Sequence, residues 1–284
     1  MKGSTHCAIR GFAIALVAIS TSTSAWAHAP VEASIERLPG KVREHPDEVD
    51  LYLGRASILV AAGRPDAAVR DYQRVLSLDP HRTEAHLGLA ELLLLGGLAA
   101  EAQRALNACA PQDVPLEIQK WKLQSEVLRT QNRWIDAANA LDRAIEINPN
   151  PRPEDYIESA DLCVTAGRPN EALAALNRGI ERLDGASALR WRAIAIAIVA
   201  RRPNDALAQL DQLEKAMPNS PLVHARRGDI LAACGRNVEA TAAWSEALAR
   251  IESTPPHERS PNDQTLAERL RRNLQKEVDP KDQR

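Results

Sequence analysis

The chain has 284 residues, 44% of them hydrophobic, 3% aromatic and about one in six alanine. With 36 basic and 38 acidic residues its formal charge is −2, too mild for a surface built mainly for nucleic acid or anionic lipid. That much Ala favours closely packed helices, and the length is large for one compact core, so an internal repeat is the first thing to seek.

The first 27 residues have the layout of a secretory signal. Lys2 and Arg10 supply a positive start, 12–19 form a short apolar run, and Ala25-Trp26-Ala27 places small residues where a signal peptidase cuts. The alternative is an uncleaved anchor, but the run is far shorter than the ~18 residues of a membrane span. Cys7 precedes the apolar run and is badly placed for lipid attachment. Cleavage after Ala27 leaves His28 first, 34 basic against 38 acidic residues and a charge of −4. No later stretch is apolar enough to span a bilayer, so the expectation is an exported, soluble chain in the periplasm or beyond. Residues 28–46 read as a degenerate half-repeat that Pro39-Gly40 breaks.

From there the phrase Gly63-Arg64-Pro65-Asp66-Ala67-Ala68 returns as Gly167-Arg168-Pro169-Asn170-Glu171-Ala172, with an echo at Arg202-Pro203-Asn204-Asp205-Ala206. Anchoring on this turn gives Gly63, Gly97, Asn132, Gly167, Arg201 and Gly235, spaced 34 or 35 residues apart. Five residues past each anchor stands an alanine: Ala68, Ala102, Ala137, Ala172, Ala206 and Ala240. Nine past each is a large side chain: Tyr72, Leu106, Leu141, Leu176, Leu210 and Trp244. Before each turn, bulky and small residues recur at helical spacing, as in Tyr52, Ala56, Leu59 and Trp121, Ser125, Leu128. Gly at the anchor suits a helix end with positive φ, and Pro65, Pro169 and Pro203 sit where a first helical position costs no hydrogen bond. Pro80, Pro149 and Pro218 end the second helix. Each unit is a helix–turn–helix that buries its faces only by stacking on its neighbours.

These residues resemble the tetratricopeptide repeat over about 47–251. The resemblance implies an all-α, right-handed α-solenoid of six repeats, approximately 49–82, 83–116, 118–151, 153–186, 187–220 and 221–252. Repeat five departs from the pattern with Arg190, Ile194 and Arg201, which makes its turn the least regular. Residues 111–115 and 148–153 are proline-rich joints, the first of them loosened. In 253–284 a linker precedes a capping helix lined by Leu266, Leu270 and Leu274, whose Arg269-Leu270-Arg271-Arg272 is a solvated face balanced by nearby acids.

No catalytic or cofactor motif is present: there is no phosphate loop, nucleophile elbow, His-Glu-x-x-His or Cys-x-x-Cys. His86 and His224 occupy the helix position of Tyr52, Trp121 and Tyr156, so packing explains them better than metal or acid–base roles. A lone His28 has no second ligand in view. Cys109, Cys163 and Cys234 fall in alternate repeats, too far apart to bridge, and are expected as buried, reduced thiols.

The resemblance also places the first helices along a concave wall, facing it at three, six and ten residues before each anchor. Those positions hold Val60, Leu94, Arg129, Val164, Ile198 and Ala232; Ser57, Glu91, Glu126, Asp161, Ala195 and Asp229; and Leu53, Leu87, Lys122, Ile157, Trp191 and Ala225. Apolar patches beside a row of carboxylates suit a partner segment with apolar and basic side chains, not an acidic C-terminus. The resemblance implies a non-catalytic adaptor of envelope biogenesis, secretion or cytochrome maturation. The alternatives are a carbohydrate-binding or enzyme-accessory solenoid, for which Trp191 is the one stacking aromatic on the wall, and a surface whose acids only solubilise.

Overall fold

The computed structural model describes residues 40 and 42–278. The signal segment with Lys2, Arg10 and Ala25–Ala27, the cut before His28, most of the 28–46 cap and the last six residues lie outside them. Every regular element among the described residues is a helix, and none is long and apolar enough to cross a membrane. The described residues divide into two compact units, one ending at Asp71 and the other beginning at Tyr72.

The first unit holds α1 (Val49–Ala61) and the start of α2 (Pro65–Leu78), which runs on into the second. Ala56, Leu59 and Ala68 are buried here. Arg55 donates to both Asp71 oxygens at 2.6 and 2.7 Å, and its guanidinium lies 5.4 Å over the Tyr52 ring. A bidentate, partly buried pair of this kind fixes the angle between the two helices more firmly than an exposed one.

The second unit pairs α3 (Thr83–Leu95) with α4 (Ala99–Ala108), α5 (Val114–Thr130) with α6 (Trp134–Ile147), and α7 (Pro153–Thr165) with α8 (Pro169–Arg182). Then α9 (Ser187–Val199) pairs with α10 (Pro203–Ala216), α11 (Pro221–Ala233) with α12 (Asn237–Ser253), and α13 (Pro261–Val278) closes on α12. First helices also meet directly, α3 with α5 and α7 with α9.

All six anchor residues have positive φ, between 56° and 74°. Each turn repeats one hydrogen-bond pattern. The anchor amide reaches the carbonyl three residues back, and the next amide reaches five back, as in Gly167 to Val164 at 2.9 Å and Arg168 to Cys163 at 2.8 Å. This is a Schellman closure, and it satisfies the carbonyls that a helix end orphans. The turn of repeat five is no looser than the rest: Arg201 and Arg202 make the same two bonds at 3.0 and 2.8 Å. Asn132 and Arg201 accept the left-handed conformation without being glycine.

The six alanines five past the anchors have no exposed surface at all, and the large residues nine past them are all buried. Ala140, which its register places nearer the interface edge than Ala137, is itself only 5% exposed, because the cluster that joins repeats three to six closes over it. The two proline-rich joints are the stretches between α4 and α5 and between α6 and α7. In the first, Asp113 caps α5 by accepting from the Leu116 amide at 2.9 Å. In the second, the Arg152 amide donates to Asp155 at 2.9 Å. Leu270 is fully buried on α12, with Leu266 and Leu274 beside it, while Arg271 pairs with Glu252 at 2.6 Å.

Cys109 and Cys163 are buried free thiols. Cys234 differs from expectation: it is an exposed free thiol, because it follows the last residue of α11 where the chain turns outward.

Candidate peptide-binding face

In the first unit Leu53 is half-buried, with Ser57 and Val60 exposed on the same helix. The other candidate residues lie in the second unit, and the structure sorts them into three groups.

Two are core. Leu87 is 1% exposed and belongs to the cluster of α3, α4 and α5. Its burial follows from α5, which at 17 residues is longer than the 13-residue α3 and packs Leu116 and Leu123 against that cluster. Ala225 is fully buried where α11 meets α12 and α13. Neither lines a wall.

Several acids are already matched by cations. Asp229 accepts from Trp244 Nε1 at 3.0 Å and from Arg269 at 2.8 Å, so it ties α11 to α12 and α13 instead of facing a partner. Asp161 is bridged by Arg192 of the next first helix. Arg129 bridges Glu126 at 2.8 Å and Glu158 at 3.0 Å, and Lys122 reaches Asp155 at 3.0 Å. Burial alone pushes the Asp155 carboxyl up, but the Arg152 amide and the Lys122 ammonium outweigh it and hold it below its usual value.

The third group forms a surface. Glu91 is exposed and has no ion-pair partner among the described residues. It borders a hollow of about 340 Å³ with Ile118, Lys122, Leu123, Glu126 and Glu158. A second hollow of about 460 Å³ shares Glu158 and adds Arg129, Trp134, Glu154, Ile157 and Asp161. Leu94 and Val164 are half-buried against the core clusters behind this surface, as are Trp191 and Ile198 on α9, with Ala195 and Ala232 also half-buried.

Spacing alone misses Ile118, Glu154, Glu158 and Trp134. Glu158 and Arg192 both stand nine before their anchors, a position that meets the neighbouring first helix. Reading ion-pair complementarity between successive repeats, instead of one face of one repeat, finds them. Among the described residues no three His, Cys, Asp or Glu side chains gather closely enough to hold a metal.

Residues 59–124 match the tetratricopeptide repeat family profile. The fold is similar to that of Pseudomonas aeruginosa pilF, at 18% identity and a TM-score of 0.50 over 72% of this chain and 91% of that one. It is equally similar to PilW, a type IV pilus biogenesis factor, at 17% identity and a TM-score of 0.50 over the same shares. In sequence it is 25% identical over 182 residues to the human protein O-mannosyl-transferase TMTC1. That match covers 55% of this chain but spans only a fifth of the transferase. The repeat in the sequence, the six alike turns and the matched segment together give this chain the fold of a tetratricopeptide-repeat solenoid.

Proposed function

We propose that the protein is a non-catalytic scaffold of the periplasm, exported by its first 27 residues, that holds a partner polypeptide on the face of α3, α5 and α7. The partner segment carries apolar side chains interspersed with Lys or Arg. The observation that carries this is the surplus of carboxylate around the two adjoining hollows. Glu91, Glu126, Glu154, Glu158 and Asp161 gather there with Lys122 and Arg129, over an apolar lining of Ile118, Leu123 and Ile157. A basic side chain gains Coulomb energy from unmatched Glu91 and Glu154, and a flanking apolar side chain gains buried area. Sugar recognition fits less well, because Trp134 and Trp191 are both partly packed into the core and offer less of their faces for stacking.

The test has two parts. N-terminal sequencing of the protein recovered from the periplasm should begin at His28. The mature chain should bind an end-capped Leu/Lys peptide by fluorescence anisotropy and ignore its Leu/Glu counterpart; equal binding of both removes the electrostatic basis of the proposal.

A further inference from the structure

Charged side chains of successive first helices pair across the second unit in a ladder. The position six before one anchor faces the position nine before the next. Asp161 meets Arg192 in this way, and in the rung before it Arg129 bridges Glu126 to Glu158. The last rung runs from Asp229 to Arg269 of α13 at 2.8 Å. Between repeats five and six the rung is broken. Arg226 stands nine before Gly235, but Ala195 occupies the place of its carboxylate. Among the described residues no acceptor meets the Arg226 side chain, although the residue is half-buried.

Arg226 instead lines an open hollow of about 500 Å³ between the end of α9, the start of α10 and α11. Arg201, a second cation without an ion-pair partner among the described residues, lines it too. Asp229 borders the same space, but Trp244 and Arg269 take one of its oxygens each. The rest of the lining is mainly apolar, with Ile198, Pro203 and Ile230. A half-buried cation gives up hydration without a countercharge here, and an anion seated in the hollow would supply the missing half of the rung.

The lining indicates which anion. Two guanidinium groups beside one carboxylate leave a balance that a single negative charge meets, whereas a phosphate dianion would also face Asp229. A guanidinium takes a carboxylate through two parallel N–H···O bonds. Behind that headgroup no Asn, Gln, Ser, Thr or Lys lines the hollow to meet main-chain amides, so the end of a peptide would leave its polar backbone unpaired. A hydrocarbon body needs no such partners and gains by covering Ile198 and Ile230. The volume lies within the roughly 300–1,000 Å³ of small-molecule sites.

We propose that this hollow binds a small amphiphilic carboxylate, its headgroup accepting from Arg226 and Arg201 and its hydrocarbon body resting on Ile198, Pro203 and Ile230. The site uses different helices from the acidic face and does not depend on that reading.

Cys234 lines the same hollow with an exposed thiol, so its labelling reports occupancy. The full mature chain is titrated with octanoate while iodoacetamide labelling of Cys234 is followed by mass spectrometry, with calorimetry on the same samples. Octanoate should slow the labelling saturably and give a matching binding isotherm. Uncharged octanamide and inorganic phosphate should each bind at least about tenfold more weakly. Ala195→Asp, which offers Arg226 the carboxylate that Asp161 gives Arg192, should weaken octanoate by about tenfold or more, and so should Arg226→Gln. Thermal melts check both variants, and Arg226→Gln decides alone if the new aspartate disturbs α9. Octanamide or phosphate matching octanoate overturns the proposal, as does tighter binding of N-acetyl-leucyl-leucine, which would make the hollow a site for chain ends. So does octanoate protection that survives in the folded variants, or the absence of both protection and heat with octanoate.

Discussion

The indole of Trp244 lies so close to Gly228 that a Cβ there would stand 2.3 Å from Trp244 Cδ1. These two positions are the plug of the second helix and the small site of the first, and they trade volume between repeats. Where repeat six has Trp against Gly, repeat five has Leu210 with Ile194, both buried. Ile194 is therefore no defect in repeat five, because a smaller plug leaves room for it. Gly228→Ala should destabilise the protein by about 1–3 kcal/mol. Adding Trp244→Leu should recover part of the loss in a urea titration; additive losses would mean the two sites do not share the space.

Arg201 holds φ at 56° in a turn where four other repeats use glycine. A residue with a Cβ costs roughly 1–2 kcal/mol in that conformation. Arg201→Gly should raise stability by up to about 1 kcal/mol, since the more flexible unfolded chain takes back part of the gain. Gly167→Arg should lower it. A melting temperature unmoved by both changes would show that the turn bears no strain.

Fold and face were legible in the sequence to different depths. The anchors, the buried alanines and the capping helix follow from period and local propensity, which every repeat shares. The face depends on pairs between repeats, and one-repeat spacing cannot see them. The offset of Leu87 matches that of Ile157 and points it to the wall, yet the longer α5 buries it. Asp229 matches Asp161 in offset, but Arg269 of the cap and Trp244 claim it. Cys234 has a buried thiol's composition around it and an exposed position, because it follows a helix end.

Asp155 links acid stability to the joint before α7. Its carboxyl is held below its usual value in the fold, so the unfolded chain binds the proton more readily. The stabilisation is complete above the unfolded pKa of ~3.9 and is lost as pH falls through the lowered folded value. Asp155→Asn should destabilise the protein at pH 7 and flatten its stability profile below pH ~4. A profile parallel to the parent would exclude Asp155 as a contributor.

The three thiols among the described residues should separate by reactivity. Burial, followed by the charges of Asp142 and Glu171, pushes the Cys163 thiol up to about 11, and burial pushes Cys109 up as well. A protonated, enclosed thiol is a poor nucleophile, whereas Cys234 is open to solvent. Among the described residues, native alkylation with iodoacetamide at pH 8 should label Cys234 alone within minutes, with Cys109 and Cys163 labelled only after denaturation. Early labelling of Cys163 by mass spectrometry would contradict the packing of α7 on α8.

The acidic face and Trp191 should respond differently to substitution, because only one of them is free of the core. Glu91, Glu126 and Glu158 are exposed, so reversing all three to Lys should leave the melting temperature within a few degrees of the parent. The same change should slow association of a Leu/Lys peptide several-fold at low salt and flatten the salt dependence, since long-range attraction is lost while the apolar lining remains. Arg129 would lose both its carboxylate partners in that variant, so a Glu91→Lys single change serves as the milder control. Trp191 is half-buried against the large core cluster, with Ile198 beside it. Trp191→Ala should therefore lower stability by about 2–4 kcal/mol, and any loss of binding should scale with the unfolded fraction. Stopped-flow association measured at two salt concentrations, beside thermal melts of the same samples, separates the two cases. Trp191→Ala that melts like the parent yet dissociates faster would make Trp191 a contact residue. A triple Lys variant with unchanged association at low salt would remove the acidic face from the binding site.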